Sequence, residues 1–234
     1  SNSGSDPAPD VPNKQGVNNF IWDMRYPPAR SMPEDKTVSE RLTGPLVPPG
    51  TYKVCLEIGD QSQFQEFDLI QDPRITTTPT DFEKQTALLL RIRDRLSETH
   101  NAATYIKDVR RQINEWSQRA NENPAWTIIS KTARSIDEKL SAIENTLVQT
   151  KSTSGLDRLK YPSTLNAKLV ELTSAVSSAD SRPTQQSYEV FKSLSSRVEK
   201  QLKDLNKILE TNVSEFIDLF HELDIPVIIP KPRP

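Results

Sequence analysis

The stretch WTIISKTARSIDEKLSAIENTL, residues 126–147, decides the fold class of the chain. Its apolar residues recur at alternating steps of three and four: Trp126, Ile129, Ala133, Ile136, Leu140, Ile143 and Leu147. This spacing is the a/d seam of a helix that packs into a left-handed bundle. The second half of the chain is therefore predicted to be a helical bundle.

Three further segments carry a helical period. The first begins at Pro79 with a capping box, Thr80 to Glu83, and ends near Asn121. A shorter third helix carries Leu165 to Val176, and a fourth keeps its 3/4 spacing unbroken from Tyr188 to Leu223, with Asn212 in the seam.

The lengths of these helices constrain their packing. The first and fourth each span about 40 residues, roughly 60 Å. The second and third, of about 26 and 18 residues, match that length only when laid end to end. We therefore expect three rods with the middle rod broken around Gly155 to Pro162, so that the second and third helices run in the same direction. An up-down-up-down four-helix bundle is the alternative.

The first 78 residues carry a different period. GTYKVCLEIG (50–59) and QFQEFDLI (63–70) alternate apolar and polar residues on either side of a Gly59-Asp60 turn, which predicts a hairpin. NNFIWDMRY (18–26) is predicted as a third strand. Three or four strands would form part of an immunoglobulin-like β-sandwich. Because such a sheet is incomplete, we expect the bundle to cover one face and a second molecule to approach the open edge.

The predicted organisation is α+β with two segregated parts. Residues 1–15 are a disordered linker or the scar of a tag, 16–78 the partial β domain, 79–224 the bundle and 225–234 a proline-rich extended tail. The net charge is −2, with 30 basic and 32 acidic residues interspersed, so no basic field favours nucleic acid. No apolar run approaches the length of a membrane span, so no membrane insertion is expected. A single cysteine, Cys55, excludes an internal disulfide.

Three blocks of sequence together resemble a known family: GVNNFIWDMRYP (16–27), GPLVPPGTYKVCLEIGDQSQFQEFDLIQDPR (44–74) and LKYPSTLNAKLVELTSAVSSADSRPTQQSYEVF (159–191). Their order and spacing are similar to the C-terminal region of exported bacterial sortilin-like proteins. Those proteins carry BNR-repeat β-propellers and are often labelled glycosyl hydrolases. The resemblance implies an extracytoplasmic location (periplasmic, cell-surface or secreted) and an upstream propeller with further sandwich strands as partner. This chain lacks the propeller on which any glycosidase label rests.

Few residues suggest chemistry. Trp22, Arg25 and Tyr26 could form a sugar-stacking surface, although a tryptophan at strand spacing is more often part of a core, with Arg25 serving a neighbouring turn. His100 and His221 lack the convergent partners that a metal needs, so a surface or boundary position is expected for each. We expect no catalytic residue, metal or cofactor.

The sequence therefore favours a non-catalytic structural or interaction module. Its partners would be the upstream propeller and strands, or another protein or a glycan. An accessory carbohydrate-binding or active-site-supporting domain of a glycosyl hydrolase is the alternative, and a free-standing coiled-coil adaptor is a third hypothesis.

Overall fold

The computed structural model of the chain describes residues 11–38, 41–121, 123–152, 154 and 160–225. A hairpin of two strands precedes the helices: β1 Gly50–Ile58 and β2 Gln61–Leu69. The helices are α1 Pro79–Asn121, α2 Thr127–Leu147 after a 3₁₀ turn at Pro124–Trp126, α3 Leu165–Val176, α4 Gln185–Ile208 and, after a π turn at Leu209–Val213, α5 Ser214–Glu222. The start of the predicted linker, most of the predicted rod break and the proline-rich tail beyond residue 225 lie outside the described residues.

The middle of the bundle is a broken rod, as the helix lengths predict. α2 and α3 both run antiparallel to α1 and follow one another along it. Two contacts set the direction of each helix: Asn121 with Ser130 and Arg110 with Asp137 for α2, and His100 with Asn166 and Gln85 with Val176 for α3. The expected direction of these two helices is thus confirmed.

The third rod runs parallel to α1. In the first half of both rods, the Arg91 guanidinium lies 4.8 Å from the centroid of the Phe191 ring, and Arg95 binds Glu199 at 3.0 Å. Near their ends, the ring of Trp116 meets that of Phe220 in an edge contact with centroids 4.6 Å apart. The earlier residues of α1 therefore lie beside the earlier residues of the third rod, and the later residues beside the later ones. This parallel arrangement excludes the up-down-up-down alternative.

The seam of α2 forms the centre of the core. Six of its seven predicted members are buried, namely Ile129, Ala133, Ile136, Leu140, Ile143 and Leu147, and Trp126 is half-buried in the 3₁₀ turn. They pack against buried aliphatic residues of the other rods, among them Ile106, Leu169 and Val198. The periodicity of the sequence therefore identified the buried face of α2 correctly.

Two local predictions about the helices are wrong. The cap of α1 is Thr78 rather than Thr80: its Oγ1 accepts from the Asp81 amide at 3.3 Å and donates to the Asp81 carboxylate at 2.8 Å. The fourth helix is interrupted by the π turn, whose extra residue shifts the apolar stripe. Asn212 consequently leaves the seam and accepts a hydrogen bond from Lys139 of α2 at 2.9 Å.

The predicted sandwich is absent from the described residues, where the sheet has two strands. The segment predicted as a third strand makes a single bridge, Arg25 with Leu46. In one direction from this bridge lie Met24, with a φ of +59°, and Pro48 and Pro49, which lack an N–H. In the other direction lie Pro27, Pro28 and Pro45. A ladder cannot continue through either, so the segment runs beside the hairpin without joining it.

The predicted boundary between the two parts is also corrected. Ala29, Met32 and Val38 are buried in the core of the bundle, although the sequence assigned them to the β domain. The segment 29–38 lies along α1, with the Arg30 amide donating to Ser97 Oγ at 3.1 Å and Lys107 binding Glu34 at 2.6 Å. This segment covers α1 where the middle rod is broken.

Leu140→Ala should lower the free energy of unfolding by about 2–5 kcal/mol, because the side chain is fully buried in the α2 seam. Asn145→Ala is the matched control: Asn145 is exposed on the same helix, and its loss should cost about 0.5 kcal/mol or less. Denaturant melts of both variants test the orientation of α2, and equal losses at the two positions would contradict it.

Candidate functional site

A buried carboxylate lies at the break in the middle rod. Asp35 is fully inaccessible and accepts four hydrogen bonds. Oδ1 accepts from the amide and the hydroxyl of Thr37, and Oδ2 accepts from the Gln149 amide at 3.1 Å and from Asn166 Nδ2 at 2.7 Å. Gln149 follows the end of α2 and Asn166 lies in the first turn of α3. The carboxylate thus joins both pieces of the broken rod to the segment 29–38.

His100 extends this cluster into α1. Its Nδ1 lies 2.6 Å from the Arg30 carbonyl oxygen and therefore carries the proton, which leaves Nε2 to accept from Asn166 Nδ2 at 3.3 Å. The remaining oxygen of Asn166 accepts from Thr164 Oγ1 and from the Ala167 amide. Every polar atom of the Asp35, Asn166 and His100 side chains thus has a protein partner.

This arrangement holds the fold together rather than performing chemistry. Asp35, His100 and Asn166 are each at most 1 % exposed, so a substrate cannot reach them. The expectation that His100 occupies a surface or boundary position is wrong, because the segment 29–38 covers it. His221 is exposed, as expected.

Asp35→Ala should destabilise the protein by about 3 kcal/mol or more, because it removes the acceptor of four hydrogen bonds at a buried site. Glu34→Gln is the control one residue away. Glu34 is half-exposed in an ion pair with Lys107, and its loss should cost about 1 kcal/mol at most. Urea unfolding of both variants measures the difference, and a loss for Asp35→Ala no larger than the control would contradict the role assigned to Asp35.

Stability should fall as the pH drops below about 6.5, the ordinary histidine pKa. Burial lowers the pKa of His100, and this outweighs the Arg30 carbonyl and the Asp35 carboxylate, which both raise it. The unfolded chain therefore binds a proton at His100 that the folded chain does not, and unfolding becomes easier as the proton becomes available.

The measurement is the free energy of unfolding between pH 5 and pH 7.5. The change over this interval should shrink in His100→Gln and persist in His221→Gln, which removes the exposed histidine. An unchanged pH dependence in His100→Gln would show that another group is responsible.

The residues predicted as a partner surface form a tether at the base of the hairpin. Trp22 packs against Tyr52 and Phe67, with ring centroids 5.6 and 6.1 Å away, and its Nε1 donates to the Arg25 carbonyl at 3.2 Å. Arg25 Nη1 donates to the Gly44 carbonyl at 2.8 Å, and the Tyr26 amide donates to the Pro45 carbonyl at 2.9 Å.

Gly44 permits the close approach of the two segments in this tether. A Cβ added there would collide with the Tyr26 carbonyl oxygen. Arg25 thus binds the backbone of the segment that leads into the hairpin. Trp22 packs on the hairpin but stays half-buried, so its place in a closed core is wrong.

Most residues of the hairpin are exposed on both of its faces. Gly59 has a φ of +57° at the first position of the two-residue turn, as a type II′ turn requires. Tyr52, Val54, Leu56 and Ile58 share one face, as predicted, but the bundle does not cover it. Val54, Leu56 and Ile58 are 53 %, 51 % and 68 % exposed. The expectation that the bundle covers one face of the sheet is wrong, because the hairpin contacts the rest of the chain mainly at its base.

Three basic residues of α1 are paired with acids. Lys107 binds Glu34, Arg111 binds Glu115 at 3.0 Å, and Arg110 binds both Asp137 and the buried Glu144 of α2. Neighbouring carboxylates thus neutralise each of the three cations, and Arg110 also links two rods.

Among the described residues, no group of three His, Cys, Asp or Glu side chains is arranged to hold a metal ion. No helix in the same part of the chain is both long and apolar enough to cross a membrane. Comparison with known protein families, with curated proteins and with solved structures finds no match.

Sequence reasoning missed Asp35 and Asn166. The only local signal was the Asp-x-Thr spacing of residues 35–37, which suits a turn in which the side chain accepts from the backbone two residues on. Nothing in that spacing indicates a partner more than 100 residues away, so the cluster could not be assembled from sequence.

Proposed function

We propose that this chain is a non-catalytic interaction module, in which a rigid helical rod presents a β-hairpin to a partner. One observation carries the proposal: three aliphatic side chains of β1 are more than half exposed on one face of a hairpin that projects from a packed bundle. Exposed apolar patches on soluble proteins often mark interaction sites.

The helical bundle supports this role because its packed interior and the contacts at the base of the hairpin fix the position of the hairpin. The Asp35 cluster fixes the segment 29–38 against α1, and the Arg25 and Tyr26 bonds connect the preceding chain to the base of the hairpin. A surface supported by packed elements loses less conformational entropy on binding than a free loop would.

The family placement is part of the same proposal. It rests on the three sequence blocks that resemble the C-terminal region of sortilin-like β-propeller proteins. The family placement would imply an extracytoplasmic location and an upstream propeller as one partner of the module. The exposed hairpin suits this arrangement, since a neighbouring domain could cover its apolar face.

A carbohydrate-binding accessory role is the second candidate, because Trp22, Tyr52 and Phe67 form an aromatic group at the base of the hairpin. Trp22 is half-buried and both neighbouring rings contact it, so less of its face is available for stacking on a sugar. The hairpin face above this group is the larger surface, and we favour it.

The test replaces Val54, Leu56 and Ile58 together by threonine, which keeps the strand propensity and removes the apolar surface. If the face serves binding, amide hydrogen exchange in the hairpin of the dilute protein, with no partner bound, should be unchanged, because these side chains support little of the fold. Tyr52→Ala, inside the aromatic group, is the contrasting variant and should lose hairpin protection. Loss of protection in the triple variant would mean that the face is structural, which contradicts the proposal.

A second measurement addresses catalysis and glycans. The purified protein should turn over no member of a panel of chromogenic glycosides. Turnover abolished by one Asp or Glu substitution in this chain would overturn the non-catalytic assignment. Glycan-array binding that is lost in Trp22→Ala but kept in the triple threonine variant would establish the carbohydrate-binding alternative instead.

A further inference from the structure

The outer edge of β1 is open over most of its length. In a hairpin closed by a two-residue turn, the pair flanking the turn exchanges hydrogen bonds, and alternate pairs do so thereafter. Ile58 and Gln61 are that pair, so the backbone groups of Thr51, Lys53, Cys55 and Glu57 point away from β2. Among the described residues, no backbone hydrogen bond outside the hairpin reaches these four.

No proline or β-bulge interrupts this edge within β1. The prolines at 48 and 49 block the chain before β1, but nothing similar follows within the strand. Lys53 and Glu57, the two charges on β1, lie on its polar face with Cys55 between them. Two opposite charges thus lie at equal distances from Cys55, a cation two residues before it and an anion two residues after it.

We propose that β1 pairs with β1 of a second copy of this chain, antiparallel and centred on Cys55, to form a four-stranded sheet. This inference rests on the proposed role of the hairpin as an interaction surface and names its partner. A two-fold axis at Cys55 makes the interface self-complementary, as a symmetric dimer requires.

Charge selects this register. With the axis at Cys55, Lys53 of each copy lies opposite Glu57 of the other, which gives two favourable cross-strand pairs. Moving the axis by one residue in either direction places Lys53 opposite Cys55 or Gly59 and loses both pairs. Lys53 now lies 4.1 Å from the Phe64 ring centroid and Glu57 accepts from the Cys55 thiol, so both charges remain on the accessible face.

The same register extends the apolar face. Tyr52 of one copy lies opposite Ile58 of the other, and Val54 lies opposite Leu56. The exposed aliphatic residues of two hairpins thereby become one continuous surface, which reduces their contact with water. A two-stranded hairpin is marginal by itself, whereas four strands with an apolar face are more stable.

The open edge of β2 suits a second copy less well. β2 carries Glu66 and Asp68 and no basic residue. Pairing two β2 strands would leave these carboxylates without a cation on the facing strand, and in some registers opposite one another. The charge pattern therefore assigns the self-pairing edge to β1.

Sedimentation velocity over a range of protein concentrations tests the pairing. One strand per copy is a small interface, so we expect a dimer that appears with rising concentration. Lys53→Glu and Glu57→Lys should each weaken dimerisation about tenfold or more, because each places like charges opposite at two positions. The double variant exchanges the charges and should restore the dimer.

Glu66→Lys is the matched control. Lys53 and Glu66 face each other within one hairpin, so both Lys53→Glu and Glu66→Lys place like charges across that pair, but only the first alters the dimer contacts. Glu66→Lys should therefore dimerise as the unaltered protein does. In the dimer, a short thiol-specific crosslinker should join Cys55 of the two copies.

Each other result overturns the inference in a recognisable way. A monomer at every concentration excludes the second copy as partner, yet leaves the proposed function intact if the triple threonine variant keeps its hairpin protection. A dimer that ignores both charge substitutions, or whose double variant is not restored, forms elsewhere, for instance through the helices. Loss of hairpin protection in the triple variant removes the proposed function itself.

Discussion

The fold depends on the four hydrogen bonds accepted by the Asp35 carboxylate. A middle rod made of two helices leaves a gap beside α1, and a gap in a bundle exposes apolar surface and unpaired backbone groups. The segment 29–38 fills that gap, and Asp35 binds the end of α2 and the start of α3 from within it. A buried carboxylate without these donors would strongly destabilise the fold. The segment 29–38, the end of α2 and the start of α3 must therefore keep the positions that allow all four hydrogen bonds.

The elements joined by Asp35 form the packed part of the molecule, whereas the hairpin is the exposed part. The rods and the segment 29–38 share one core, and buried polar side chains fasten its elements to one another. Gln85 of α1, for instance, donates to the Val176 carbonyl at the end of α3. The hairpin has no such core, and only its base is attached, through Trp22 and Arg25. The hairpin thus presents an exposed apolar face and an open strand edge while its base is held in place. This arrangement suits binding to another polypeptide.

Prediction from sequence was most accurate where the period was strong and the contacts were repeated. The α2 seam, the broken middle rod and the hairpin with its turn were all predicted from spacing. The sandwich and the third strand were wrong, since alternation in NNFIWDMRY does not reveal that the partner backbone carries Pro48 and Pro49. The surface position of His100 was wrong because its cover comes from residues 70 positions away. Membership in the sortilin-like family stays a proposal.

The sequence by itself determined which faces of the helices are apolar, how long the rods are and where the hairpin turns. These properties follow from local periodicity and backbone chemistry, which act over a few residues. Only the tertiary structure decided that Asp35, His100 and Asn166 meet, and that β1 keeps an open edge with Lys53 and Glu57 on either side of Cys55. Such features depend on which segments distant in sequence pack together and on which positions stay uncovered. The local spacing of residues therefore does not predict them.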